Sequence, residues 1–191
     1  MAGAGSWPGR LRPAQARDFA QVSEIVNHYI RTSAVNFRTE PQTPGDWERD
    51  WLAHRRTHPW YVAERDGAVV GIAYAAPWKP RPAYDWTTET TVYLDQAQRG
   101  RGLGLELYRL LLRTLERQGY RSAMAVVSLP NEASVRLHRA LGYQEVGHVR
   151  AAGFKFGGWH DTGLWQRILI EGEQPPRPVL PVADLAAEDS G

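Results

Sequence analysis

The chain has 191 residues, 42% of them apolar, which suits one domain with a buried core and leaves little room for two. It contains no cysteine, so a disulfide framework, a thiolate metal site and a cysteine nucleophile are all excluded. Its 23 basic and 21 acidic residues are interspersed and leave a net charge of only +2, which argues against a nucleic-acid module, and no apolar run approaches the roughly 20 residues of a membrane span.

The first eight residues carry no basic-then-apolar leader pattern. Together with the absence of cysteine, this leads us to expect a reducing, cytoplasmic compartment. Residues 1–9 read as a flexible N-terminus, and residues 10–12 as a short strand. Asp18, with Gln21 behind it, reads as a helix N-cap, and Phe19, Val22, Ile25, Val26 and Tyr29 follow at helical spacing. Residues 33–44 are irregular. Asp46 is expected to cap a second helix with Trp47 and Trp51 on one face. A hairpin follows, turning at Asp66-Gly67, because both central residues of a type I′ turn need positive φ.

Residues 77–82 form a loop rich in proline and cation. Residues 87–94 are β-branched and aromatic, hence a strand, which Gly100, Gly102 and Gly104 interrupt. Leu107, Leu110, Leu111 and Leu115 mark a helix over residues 105–118, ended by Gly119. Residues 122–129 read as a strand buried on both faces, residues 131–141 as a short helix, and residues 146–150 and 163–168 as closing strands. The domain spans residues 10–170. Residues 171–191 are proline-rich, then acidic, without periodicity, and read as a tail. This order of elements makes one mixed α/β domain around a single sheet.

The most informative segment is Gln98-Arg99-Gly100-Arg101-Gly102-Leu103-Gly104, between a strand and a helix. Alternate glycines let a backbone approach a ligand closely, and free N–H groups at a helix N-terminus attract an anion. Arg99 and Arg101 add positive charge. The segment is therefore a phosphate or pyrophosphate cradle. It is not a dinucleotide fingerprint, since Leu105 stands where the third glycine belongs, and it has no Gly-Lys-Ser/Thr of a nucleotide P-loop.

What fits is Arg/Gln-x-x-Gly-x-Gly, which resembles the coenzyme A signature of the GCN5-related N-acetyltransferase (GNAT) superfamily. Leu129-Pro130-Asn131-Glu132-Ala133-Ser134, then His138 and Leu141-Gly142-Tyr143, resemble its Asn-x-x-Ala/Ser helix and Gly-aromatic turn. The likeness goes further. Ile25 to Ile30, Val35 to Gln42, Ala83 to Thr87, Arg150 to Lys155 and Pro175 to Val182 resemble the phosphinothricin N-acetyltransferase family, nearly end to end. Phe156 and Gly158 depart from relatives with polar side chains there.

The resemblance implies a GNAT-like acyl-CoA N-acyltransferase domain. Its sheet is mixed but mostly antiparallel, with helices on both faces and splayed middle strands that admit the pantetheine arm. It implies acetyl-CoA as co-substrate, a homodimer, and a glutamate analogue as acceptor: phosphinothricin, methionine sulfoximine or methionine sulfone. Glu89 matches the family's general base, and an amine needs one because it is mostly protonated at neutral pH. His138 is the alternative base or its partner. Lys79 and Arg81, flanking Pro80, suit the acceptor's anionic groups, with Tyr84, Asn36, Phe37, Thr90 and Thr91 as further pocket candidates. Val92, Tyr93 and Leu94 offer backbone hydrogen bonds to pantetheine, and Gly100, Arg101, Gly102, Leu103, Gly104, Leu105, Asn131 and Ser134 complete the cofactor site. The histidines show no metal-ligand spacing, so no metal is expected. Competing readings are a different amine acceptor and a non-catalytic acyl-CoA sensor. The first is opposed by the cationic loop where the amine is a polyamine, the second by the intact glycine loop and base.

Overall fold

The computed structural model describes residues 7–172 and 175–188. Residues 1–6, in the expected flexible N-terminus, and 173–174 and 189–191, in the expected tail, lie outside the described residues. Seven strands form one sheet: β1 (Arg10–Pro13), β2 (Trp60–Arg65), β3 (Ala68–Pro77), β4 (Thr87–Leu94), β5 (Ser122–Leu129), β6 (Gln144–Lys155) and β7 (Gly158–Ile168), in the order β1-β2-β3-β4-β5-β7-β6. All neighbours are antiparallel except β4 and β5.

Alternation along the strands builds a core on each face. Val62 and Ile72 pack under α1 (Phe19–Thr32) and α2 (Pro44–His54), with Phe19, Val22, Val26 and Trp47. Their neighbours Ala63 and Ala73, with Ala75, face α3 (Leu103–Gln118), whose Leu103, Leu107, Leu111 and Leu115 are fully buried. Alanines on the strands leave room for leucines on the helix. Truncating one of these leucines is expected to cost about 2–5 kcal/mol. α4 (Glu132–Ala140) joins the same core through Val135.

The middle of the sheet opens. β4 and β5 pair only over Thr87–Glu89 with Ser122–Met124. Beyond that point β4 stays with β3 as far as Leu94, and β5 stays with β7 as far as Leu129. The two strands therefore diverge, as the resemblance implies. Val126 is 45% exposed on the wall of the gap, so β5 is not buried on both faces throughout.

Other sequence expectations need correction. Asp18 does not cap α1 with its side chain. It closes a 3-10 turn, accepts from the Gln15 amide at 2.8 Å, and accepts from Arg12 Nη1 and Nη2 at 2.7 and 2.8 Å. Burial opposes its charge, but Arg12 prevails and holds the carboxyl below its ordinary range. α2 is capped by Thr43, with Pro44 at the first helical position and Asp46 three residues in, completing a capping box. α3 begins at Leu103, not Leu105.

The closing strands are twelve and eleven residues long, far longer than expected. β6 is an edge strand exposed along most of its length, so it carries no alternation to read. Its turn is Phe156-Gly157, with φ of 51° and 75°, and a phenylalanine in that conformation is not a turn signal. The flanks are also ordered where described. Trp7 is buried against the α3 core, and residues 182–188 form α5 (Val182–Glu188), with Leu185 buried. The segment before α5 is tied down by Leu180 N–H to Gln118 O (2.8 Å) and by Trp86 Nε1 to Arg177 O (2.7 Å).

Candidate active site

The gap between β4 and β5 opens into a cleft of about 660 Å³. One wall is Thr90 to Leu94 of β4, the other Ala125 to Ser128 of β5. Gly100, Gly102, Gly104 and Leu105 line one end, and Asn131, Ser134, Leu137 and His138 of α4 the floor. Most of the predicted cofactor residues are thus brought together. Arg101 and Leu103 do not line the cleft: Arg101 is exposed and Leu103 is core. A smaller hollow of about 470 Å³ beside α1 shares His28, Tyr29, Leu94 and Gln96 with the cleft but does not reach His138.

Two of the three glycines in the loop adopt a conformation that favours glycine. Gly100 and Gly102 sit at φ of 74° and 81°, a region that L side chains rarely adopt. Gly102 precedes α3, whose ladder starts with Leu105 and Glu106 donating to the Gly102 carbonyl. The amides of Leu103 and Gly104 come before that ladder, so no helical carbonyl serves them. They and the helix dipole favour an anion at this end. Asn131 is the N-cap of α4 and accepts from Ser134 N–H at 3.2 Å, so its carbonyl works for the helix while it lines the cleft.

His138 is 4% exposed and lines the cleft. Its Nδ1 lies 2.8 Å from the Ser134 carbonyl, which only accepts, so Nδ1 carries the proton. Its Nε2 lies 3.2 Å from the Tyr108 hydroxyl. Burial pushes the ring below its ordinary range, and the Ser134 contact opposes this only in part, so it is neutral near pH 7. Tyr108 also reaches Thr90 Oγ1 (2.8 Å), which contacts the Tyr143 hydroxyl (2.7 Å) and donates to Met124 O (2.9 Å). This network stitches β4 to β5 where they part. Tyr108 and Tyr143 escaped the sequence reading as site residues. The available signal was a tyrosine inside a leucine stripe, whose buried hydroxyl needs a partner.

Glu89 is the last β4 residue paired to β5 and is partly buried. It is not among the cleft-lining residues. Alternation points it, with Thr91 and Tyr93, to the α1 face, whereas Thr90 points to Tyr108 on the α3 face. Burial pushes the Glu89 carboxyl above its ordinary range, and the Lys79 ammonium pulls it partway back. Lys79, Pro80, Arg81 and Tyr84 are exposed in the loop between β3 and β4, and of these Lys79, its Nζ 4.7 Å from the Trp78 ring, is the one whose charge reaches Glu89.

The segment 33–38 crosses the gap here. Ser128 Oγ donates to Ala34 O (2.6 Å), Lys155 Nζ to Asn36 O (2.6 Å), and Phe37 lies so close to Gly153 that a Cβ there would fall 2.6 Å from its ring. Asn36 Nδ2 donates to the Tyr93 hydroxyl (2.9 Å), which burial pushes up to about 12. Asn36 and Phe37 therefore hold this segment in place, beside Glu89's face of the sheet. Among the described residues no cluster of potential ligands could hold a metal, and no helix is long and apolar enough to cross a membrane.

Known proteins match this arrangement. A family model described as an acetyltransferase (GNAT) domain matches residues 11–164. The chain is 57% identical to the phosphinothricin N-acetyltransferase of Streptomyces viridochromogenes over 178 residues, 93% of this chain and 97% of that one. It is 33% identical to the L-methionine sulfoximine/L-methionine sulfone acetyltransferase of Salmonella typhimurium, over 86% of this chain and 97% of the other. The crystal structure of a GNAT superfamily phosphinothricin acetyltransferase from Sinorhizobium meliloti, in complex with acetyl-CoA, superposes with a TM-score of 0.85 at 33% identity, covering 90% of this chain and 94% of that one.

Proposed function

The chain belongs to the GNAT acetyltransferase domain family and is an acetyl-CoA-dependent N-acetyltransferase, and from that premise we propose that it acetylates the α-amine of phosphinothricin or a related glutamate or methionine analogue, with Glu89 as general base. The observation that carries the mechanism is a partly buried carboxylate at the point where the strands part, within the field of the Lys79 ammonium. The acceptor class rests on the named relatives.

In this reading acetyl-CoA lies along β4 with its pyrophosphate at the glycine loop. The acceptor enters from the α1 face. Its ammonium loses a proton to Glu89, directly or through one water, and the free nitrogen attacks the thioester carbonyl. A β4 backbone N–H stabilises the resulting oxyanion. The intermediate collapses as the carbon–sulfur bond breaks, and the departing thiolate takes up, directly or through water, the second proton that the attacking nitrogen gives up on becoming an amide. Lys79 and Arg81 hold the acceptor's anionic groups. His138 fits a positioning role better than that of base, because both its ring nitrogens are engaged within the fold.

A thiol-release assay over a panel of amines tests the acceptor class. Phosphinothricin, methionine sulfoximine and methionine sulfone should be the best acceptors and polyamines inactive. Turnover of a polyamine or a protein N-terminus above that of phosphinothricin would overturn the reading. Such an activity would confer herbicide resistance by detoxification, and a cysteine-free chain suits a cytoplasmic setting. We also read the enzyme as a homodimer. Val146, Val149, Phe154, Phe156 and Trp159 are exposed along the β6–β7 hairpin, and β6 is an unpaired edge. A monomer mass in sedimentation at micromolar concentration would contradict this.

A further inference from the structure

Coenzyme A carries a pyrophosphate and, on its ribose, a 3′-phosphate. The glycine loop accounts for the first and leaves the second without a partner. Two arginines line the cleft, Arg99 and Arg136. Arg99 stands immediately before the loop and already donates to Gln96 Oε1 at 3.0 Å. Arg136 is on α4, exposed, and makes no hydrogen bond or ion pair with any described residue. Even Glu132, one turn earlier and well placed for a helical ion pair, does not engage it. Arg139 on the same helix is turned away, 5.4 Å from the Trp165 ring.

The position of Arg136 is set by its neighbours. Leu137 packs so close to Gly104 that a Cβ there would lie 3.7 Å from its Cδ2. α4 therefore runs beside the start of α3, next to the anion cradle. Ser134 and His138 face inward, the latter buried, while Ala133, Arg136 and Ala140 form the exposed outer lip of the cleft. The alanines, one turn to either side, add no bulk. The lip thus offers one unpaired guanidinium beside the cradle, with no bulky neighbour to cover it.

We propose that Arg136 is a specificity-determining residue for the acyl donor, gripping the 3′-phosphate of coenzyme A while the glycine loop holds the pyrophosphate. A planar guanidinium matches a phosphate with parallel N–H donors. The inference rests on acetyl-CoA occupying this cleft, and the test separates the two. Calorimetry measures the affinity of acetyl-CoA and of 3′-dephospho-acetyl-CoA for the wild type, Arg136→Ala and Arg136→Lys, with thermal melts to verify folding. The wild type should prefer acetyl-CoA by roughly 10- to 100-fold, the scale of one charge-assisted contact. Arg136→Ala should lose that preference through weaker acetyl-CoA binding, with the dephospho donor about as tight as before. Arg136→Lys should retain part of it. Equal loss for both donors would place Arg136 on the pyrophosphate and overturn the proposal, as would no loss for either. A wild type that binds neither donor would overturn the reading of the cleft as well.

Discussion

The two sides of the splay are built on different principles. On the proposed cofactor side, what the fold presents is mostly backbone: glycines in the left-handed region, amides ahead of a helical ladder, and a strand edge released by its neighbour. The side chains beneath it form a closed hydrogen-bonded set of Thr90, Tyr108, His138 and Tyr143. On the proposed acceptor side, what the fold presents is side chains: the Glu89 carboxylate, the buried tyrosines of β3 and β4, and the exposed cations of the loop between those strands. The first side suits a large donor that every enzyme of this kind must bind. The second leaves chemistry and acceptor choice to a few replaceable groups, held by a segment strapped to the far half of the sheet.

If that division holds, the largest loss of rate comes from the acceptor side. Glu89→Gln should lower kcat by about 10²–10⁴, the scale of general base catalysis, with acetyl-CoA affinity nearly unchanged. Stability should move the other way. The folded state holds the Glu89 proton more tightly than the unfolded chain does, so burial of this group imposes no penalty in acid and a growing one as pH rises through its folded pKa. The Glu89→Gln variant should therefore be at least as stable as wild type at neutral pH, with any advantage vanishing in acid. The wild-type acid limb of kcat/KM should lie above the ordinary glutamate range and be absent in the variant. A Glu89→Gln enzyme that keeps more than half of wild-type kcat would remove Glu89 from the mechanism.

On the cofactor side, Gly102→Val should act through conformation. A Cβ on Gly102 meets no atom within 4 Å, so the problem is its φ of 81° and not a clash. Holding an L residue there costs about 1–2 kcal/mol. The loop relaxes by turning its amides away, and the acetyl-CoA Kd should rise about tenfold or more. The acceptor KM should be little changed. A folded Gly102→Val protein with unaltered calorimetric affinity for acetyl-CoA would show that the loop is not the cradle.

Thr90→Val probes the buried network between the two sides. It keeps the shape and removes a hydroxyl that Tyr108, Tyr143 and the Met124 carbonyl all contact. Leaving buried polar groups short of a partner should lower unfolding free energy by about 1–3 kcal/mol in denaturant titrations. The change in rate should stay well below that of Glu89→Gln. A rate loss as large as that of Glu89→Gln in a stable Thr90→Val enzyme would mean that the proton leaves through His138 and Tyr108, and the division between the sides would collapse.

How far the sequence revealed this arrangement follows the same line. The hairpin turn at Asp66-Gly67, with φ of 52° and 79°, and the β4 boundaries were legible because propensity and turn chemistry agree there. The glycine turn before α3 and the start of the Asn131 helix were legible as elements because positive φ ahead of a helix favours glycine and an N-cap favours asparagine. Glu89 and the Lys79–Arg81 loop came from resemblance, since a lone carboxylate on a strand carries no local signature. The partners of His138 are brought from α3, β4 and the turn after α4, and only the fold assembles them. The same holds for β6, whose exposed length mixes apolar and polar residues without alternation, and for the segment around Leu180, which Gln118 ties to the core.

The smallest expected effect lies farthest from the splay and serves as its control. Thr43 Oγ1 accepts from Asp46 N–H at 3.2 Å, and Thr43 N–H donates to Asp46 Oδ2 at 2.9 Å, closing the first turn of α2. Reading Asp46 as the cap missed this by one turn, because Thr43-Pro44 looks like loop until the box is seen whole. Thr43→Ala should reduce stability by about 1 kcal/mol, typical of a lost N-cap. The Thr43 hydroxyl and amide, with Arg49, hold the Asp46 carboxyl below its ordinary range. A depressed acid contributes stability above its unfolded pKa and loses it as pH falls through its folded value. The deficit of Thr43→Ala should therefore be full at neutral pH and shrink in acid, where Asp46 is protonated in either protein. Urea titrations at neutral and acid pH measure it directly. kcat and both KM values should be those of wild type, because α2 covers the Trp47–Trp60 core and touches neither the glycine loop nor Glu89. A change in acceptor KM in this variant would mean that α2 reaches the acceptor side through the segment before it, and that segment would then belong to the site.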